Sequence, residues 1–213
     1  MARSAAFDAN TKRYDQWFVR HDGTYISELS AVRSMLPIRG TGLEIGVGTA
    51  RFAAPLKIQY GLDPSLKALQ KARARRVQTV CSIAEHLPFA DQVFDYCLLV
   101  TAICFVDDVR KTMLEARRVL RPSGELVVGF VDRDSPIGRH YVAAQSQSLF
   151  YSDANFYSAS DVAELIVATG FENLRWVQTL FEDPTDSSGI EPSRPGYGEG
   201  SFVVVNARHG NRI

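Results

Sequence analysis

LEIGVGTARF, Leu43 to Phe52, is the stretch on which the fold turns. Apolar residues lead in, Glu44 stands just before the first of two glycines spaced one residue apart, and a short helix follows. A buried strand ending in a sharp, glycine-bearing turn explains that pattern. The turn has two readings, a nucleotide-binding loop or a plain strand-to-helix connection, and the flanking sequence has to choose.

Outward from this turn, strand-like and helix-like segments alternate. Strands are predicted over Gly42–Val47, Ile58–Asp63, Thr79–Ile83, Phe94–Val100, Glu125–Phe130, Leu174–Leu180 and Ser201–Ala207. Several are continuous apolar runs, as expected of strands covered on both faces. DPSLKALQKARARR opens with a start signal and spaces Leu66, Leu69 and Ala72 for a helix. DDVRKTMLEARRVLRPSG begins acidic, ends basic and stops at Pro122 and Gly124. SASDVAELIVATGF offers a Ser or Asp cap, Glu164 three residues beyond Asp161, and a terminating Gly170. Such alternation implies a doubly wound α/β sheet in a single domain over residues 1–213. Two segments stand outside it. Residues 1–38 carry Phe7, Tyr14, Trp17, Phe18 and Tyr25 at helical spacings and form an N-terminal cap. Residues 183–200, rich in Pro, Gly and Ser, read as a long loop.

Composition narrows the class. Lys plus Arg equals Asp plus Glu at 24 each, so no global charge draws the chain to nucleic acid or an anionic membrane. The start lacks the apolar core of a secretion signal, and no apolar run reaches the ~20 residues of a membrane span. Cys81, Cys97 and Cys104 form neither a CxxC pair nor an even framework, which fits a reducing cytoplasm and points to no metal site. Oligomeric state leaves no mark in the sequence.

In such a sheet, ligands bind where strand ends meet the following helices. Gly46 and Gly48 allow the backbone to turn and approach a ligand closely. Asp63 ends the second strand seventeen residues after Gly46, placed to accept hydrogen bonds from both ribose hydroxyls. Glu44 would repel phosphates and favour a ligand with cationic groups. A third glycine of the dinucleotide pattern is missing, with Arg at position 51, and the Gly-Lys-Ser/Thr of a P-loop is absent. The ligand is therefore expected to be a nucleoside bearing positive charge.

E-I-G-V-G-T-A with Asp63, then SIAEHLPFADQVFD and RRVLRPSGELVVGFV, resembles the class I S-adenosylmethionine-dependent methyltransferases, in the ubiquinone/menaquinone-biosynthesis-like (type 11) branch. The similarity runs from about Leu43 to Val131 and is weaker through the last strand. It implies a Rossmann-like, seven-stranded, mostly parallel sheet whose last strand inserts antiparallel. It also implies S-adenosyl-L-methionine as cofactor and methyl transfer by in-line displacement. Glu44, Gly46 and Gly48 would line the amino-acid end of the cofactor and Asp63 would hold the ribose. Ala84 and Glu85 would lie beside the adenine, and Thr101 under the sulfonium. Residues 134–160 would form the variable, acceptor-side insertion.

Three departures stand out. The third glycine of the family motif is Ala50, tolerable provided φ is negative there. The family's Asp before Ala-Glu is Ile83, leaving adenine to backbone groups and packing by Ile83 with Leu62 or Pro64. Pro55 limits the helix after the turn to about one turn.

Methyl transfer needs alignment above all, and near-attack positioning can supply ~7–11 kcal/mol of the barrier. A base is needed only where the acceptor must lose a proton. Candidates are His86, Asp107 and the pair His140–Tyr141 past the fifth strand, against which stand a surface histidine and a simple helix start. Tyr14, Trp17 and Phe18 suit a lid offering ring faces to a cation, or equally the packing of the N-terminal helix on the sheet. Tyr151 and Tyr157, within LFYSDANFYS, belong to an aromatic, weakly charged wall suited to a small organic acceptor. The basic run Lys67, Lys71, Arg73, Arg75, Arg76 reads as a solvated face rather than a nucleic-acid site. Cys97 and Cys104 read as packing residues. A catalytically silent binding module, or a macromolecular acceptor, remains as the alternative.

Overall fold

A computed structural model describes residues 5–182 and 189–210. The long loop expected over 183–200 falls partly, at 183–188, outside the described residues. Strands β1 (Gly42–Ile45), β2 (Tyr60–Asp63), β3 (Gln78–Cys81), β4 (Phe94–Val100), β5 (Leu120–Val131), β6 (Phe171–Thr179), β7 (Arg194–Pro195) and β8 (Phe202–His209) form one sheet. Its order is β3-β2-β1-β4-β5-β8-β6-β7. The first five strands run parallel, and β8 lies antiparallel between β5 and β6. The strand count is thus eight rather than the expected seven. The extra strand is Arg194–Pro195, paired to Val177 and Gln178 at the sheet edge, where Pro costs no ladder hydrogen bond and no alternating pattern announces a strand.

The helices are α1 (Ala5–Arg20), α2 (Asp22–Met35), α3 (Ala53–Leu56), α4 (Leu66–Ala74), α5 (Val109–Val119), α6 (Pro136–Ala143) and α7 (Ala159–Ala168), with a short 3₁₀ turn at Gln145–Gln147. Side-chain caps explain their starts. Ser65 accepts from Ala68 N–H, Asp108 from Lys111 N–H and Ser135 from Gly138 N–H. In α7 the capping box joins Ser158 to Asp161, so Glu164 plays no part in it. The one-turn α3 matches the limit set by Pro55.

Alternation along β4 divides the interior. Cys97 and Leu99 pack with Met113, Ala116 and Ile166 from α5 and α7 on one face. Tyr96, Leu98 and Val100 pack with Ala31, Val32 and Leu69 from α2 and α4 on the other. Each fully buried Leu or Val contributes roughly 1.5–3 kcal/mol of transfer free energy. These two layers fix the carboxyl ends of β1, β2 and β4 at one edge. There β1, flanked by β2 and β4, marks the point where connections reverse direction and a crevice opens.

Candidate functional site

At that edge lies a cavity of about 660 Å³, within the range of small-molecule sites. Gly46 (φ +76) and Gly48 (φ +49) form its floor, both left-handed as a glycine turn requires. A Cβ on Gly46 would lie 2.6 Å from the Ala102 Cβ, so the turn after β1 touches the loop after β4. Ala50 also has a positive φ, +62, which corrects the expectation of a negative value there. Its N–H bonds to the Val47 carbonyl at 2.8 Å, and the left-handed residue closes that turn at a cost of about 1 kcal/mol.

Asp63, at the end of β2, receives two backbone donors. Gly48 N–H bonds to Oδ2 at 2.9 Å and Ser65 N–H to Oδ1 at 2.8 Å. Burial raises its carboxyl above the ordinary value and these two bonds offset part of the rise. The carboxylate is thereby locked in orientation on the cavity wall. Leu62, Pro64, Ala68, Ile83 and Ala84 build an apolar slot beside it.

Glu44 lies beneath the glycine turn rather than on the cavity wall. It is buried, accepts from the Ala53 N–H, and its Oε2 has no partner among the described residues. Burial holds its carboxyl well above the ordinary value. Glu85 lines the cavity, but its Oε1 accepts from the N–H groups of Asp107 (2.7 Å) and Asp108 (3.1 Å), bracing the loop ahead of α5. Thr101 sits on the wall at φ +50, its N–H bonded to the Gly129 carbonyl at 2.8 Å.

The two aromatic clusters meet overhead. Phe7 stacks on Phe150 (5.2 Å, 28°), and Tyr14 packs edge-on against both Phe150 (5.6 Å) and Phe18 (5.2 Å). Phe105 stacks on Tyr151 at 5.8 Å. Tyr14, Trp17, Phe18, Tyr141 and Tyr151 all line the cavity. His140, one step of about 100° around α6 from Tyr141, is exposed, so that pair is not brought together. His86 and Asp107 are exposed as well. Tyr157 instead borders a separate small recess with Ile103, Cys104 and Phe130. Burial pushes the hydroxyls of Tyr14 and Tyr151 above their ordinary value, so both stay protonated as donors.

One wall residue escaped the sequence reading. Glu28 is 8% exposed, lines the cavity, and has no hydrogen-bond or ion-pair partner among the described residues. Helix α2 descends along β5 and β8: Val32 lies against Gly129, and the Met35 carbonyl accepts from Asn206. Glu28, one turn above Val32, therefore stands at the carboxyl edge of the sheet. Burial raises its carboxyl to about 8. The signal was present in principle, because Glu28 interrupts the buried stripe Thr24, Ala31, Val32, Met35 of its helix.

The cover is held by charge. Asp15 of α1 meets Arg51 (2.8 Å), Arg75 (2.9 Å) and Lys71 (3.5 Å), and accepts from the Thr49 hydroxyl at 2.9 Å. Burial raises the Asp15 carboxyl, but the bonds from Arg51, Arg75 and Thr49 outweigh it and hold it well below the ordinary value. Lys71 and Arg75 are thus not a purely solvated face. A side-chain bond from Ser65 to Asp8 adds a second tie.

Comparison with known proteins agrees with this geometry. Residues 43–128 match the family described as "Methyltransferase domain". An uncharacterized protein of Methanocaldococcus jannaschii is 40% identical over 94% of this chain and 97% of its own length. A crystal structure from Thermotoga maritima superposes with a TM-score of 0.93 at 46% identity, over 96% of this chain and 98% of that one. It is described as a SAM-dependent methyltransferase, "possible histamine N-methyltransferase". A demethylmenaquinone methyltransferase of Tropheryma whipplei is 29% identical over 65% of this chain and 69% of its own.

Proposed function

This chain belongs to the class I S-adenosylmethionine-dependent methyltransferases, and from that premise we propose that it methylates a small organic acceptor held beside the cofactor under α1. It is an enzyme, and S-adenosylmethionine is its cofactor. The observation that carries the acceptor reading is the covered aromatic cavity itself. It joins the Asp63 slot to the Tyr141–Tyr151 wall and is roofed by Phe7, Tyr14 and Phe150. A roof of this kind suits a compact molecule better than a polymer.

The chain's residues fit the cofactor's chemistry. A carboxylate offers about four lone-pair positions, and two remain on Asp63 after Gly48 and Ser65 are bonded, matching a ribose diol. The apolar slot of Leu62, Pro64, Ile83 and Ala84 suits adenine. Arg13 and Arg20, cations on the wall, suit the carboxylate of the amino-acid end. When bound, S-adenosylmethionine would supply an electrophilic methyl group, which a nucleophile attacks in line while the carbon–sulfur bond breaks and the electron pair leaves on the thioether sulfur. The protein's part is to align, exclude water and stabilise charge. Backbone left-handed at Gly46, Gly48 and Thr101 sets the floor, the α1 cover excludes water, and the Tyr14 ring on the wall suits a cation.

Incubation with S-adenosylmethionine and three acceptor classes tests this: a pool of small amines and phenols, a basic peptide, and RNA. Release of S-adenosylhomocysteine at least tenfold above background with the small-molecule pool is expected. Release confined to the peptide or the RNA would contradict it.

A further inference from the structure

We propose that the acceptor is an amine and that Glu28 binds its ammonium form and takes its proton, a deepening that rests on the methyltransferase reading above. Three observations carry it. Glu28 is more than nine-tenths buried, lies on the wall of the cavity, and lacks a partner among the described residues. A carboxylate so placed is expensive to keep unless a ligand satisfies it. Tyr14, Phe150 and Tyr151 line the same cavity, Phe150 packs against Tyr14, and the charge of Glu28 reaches the hydroxyls of Tyr14 and Tyr151; the faces of such rings attract cations rather than anions. Finally, α2 sets Glu28 at the carboxyl edge of β5, beside the strand end that carries Thr101's partner Gly129, and away from the Asp63 slot left to the nucleoside. Carboxylate and rings together select a small organic cation.

An ammonium cannot act as a nucleophile, because its nitrogen has no free electron pair. At Glu28 the N–H bond breaks, its electron pair stays on nitrogen, and the proton adds to a carboxylate oxygen. Ammonium plus carboxylate becomes amine plus carboxylic acid, and charge is conserved. The freed pair is what the methyl displacement consumes. Burial raises the Glu28 carboxyl to about 8, which makes it a better proton acceptor for a bound ammonium than an ordinary carboxylate. Tyr14 and Tyr151, whose hydroxyls burial pushes upward, stay protonated and present no phenolate to take that proton.

The test is calorimetric binding to the full chain saturated with S-adenosylhomocysteine. The probes are 2-phenylethylamine, benzylamine and 3-phenylpropylamine, each against the alcohol of the same skeleton. Wild type is expected to bind at least one amine tenfold or more tightly than its alcohol. E28Q should erase that preference while binding S-adenosylhomocysteine within twofold of wild type and melting at the same temperature or higher, since an unpaired buried carboxyl is removed. A purely structural glutamate would instead lower the melting temperature. E28M, a second non-ionisable side chain of similar length, guards against a folding defect in one variant. Preference retained in E28Q or E28M, or absent from wild type across all three pairs, overturns the proposal. Failure of wild type to bind S-adenosylhomocysteine at all would overturn the methyltransferase reading together with it, so the two failures are told apart.

Discussion

Thr101 shows what a single residue costs at this site. A β-branched side chain at φ +50 is strained by about 1–2 kcal/mol, at the residue whose N–H bonds to the Gly129 carbonyl just past the last β4–β5 pair. The strain sits where the loop after β4 meets the cavity, and holding that backbone in place is its use. Thr101→Gly is therefore expected to raise stability by about 1 kcal/mol, read as a higher melting temperature, and to lower turnover severalfold. A variant that is both more stable and fully active would show the side chain to be idle. Which residues were legible in the sequence follows from the same physics. Gly46, Gly48 and Asp63 are tied to backbone geometry and strand ends, so spacing reveals them. Glu28 is not, because a carboxylate on a helix is ordinary until the helix's partners are known. Tyr141 and His140 are neighbours in sequence, yet helical rotation sends one to the cavity and the other to solvent.

Among the elements, α1 decides whether the cavity is closed. Its aromatic face was readable as either lid or packing, and the structure shows Phe18 buried in the core while Phe7 and Tyr14 roof the cavity. What spacing could not show is the latch. Lys71 on α4 and Arg75 just past its end are far from Asp15 in sequence, and a basic run on a helix looks solvated until its carboxylate arrives from elsewhere. Asp15→Ala should destabilise the fold by about 1–3 kcal/mol, since it leaves three partly buried cations without their shared partner. Because the Asp15 carboxyl is depressed in the fold, its contribution is fully present above the ordinary value near 3.8 and is lost as pH falls below it. The deficit of the variant should accordingly be full at pH 7 and shrink toward pH 3 in thermal melts. An equal deficit at both values would place the stabilisation elsewhere. Element boundaries were readable where caps and apolar runs coincide, as in β4, whose bounds Phe94–Val100 were expected to the residue. They were not where α5 passes into β5 without a break, at Val119 and Leu120.

On the scale of the molecule, the alternating pattern led to the right sheet. Strands buried on both faces write continuous apolar runs, and helices between them write a 3.6-residue period. The antiparallel β8 followed from resemblance rather than from pattern, and the two-residue β7 left no pattern to read. Among the described residues no helix is long and apolar enough to cross a membrane. The balanced charge and the covered cavity belong together, since a compact cationic ligand needs local carboxylates and aromatic faces, not a field over the whole surface. The central claim is that the crevice at the β1 switch point holds the nucleoside through Asp63. Calorimetry of S-adenosylmethionine and S-adenosylhomocysteine on wild type and Asp63→Ala tests it most directly. Micromolar binding of both by wild type is expected, and a loss of more than tenfold in the variant with its fold intact. Equal affinity in the two proteins would contradict the ribose assignment, and no binding by either would contradict the site.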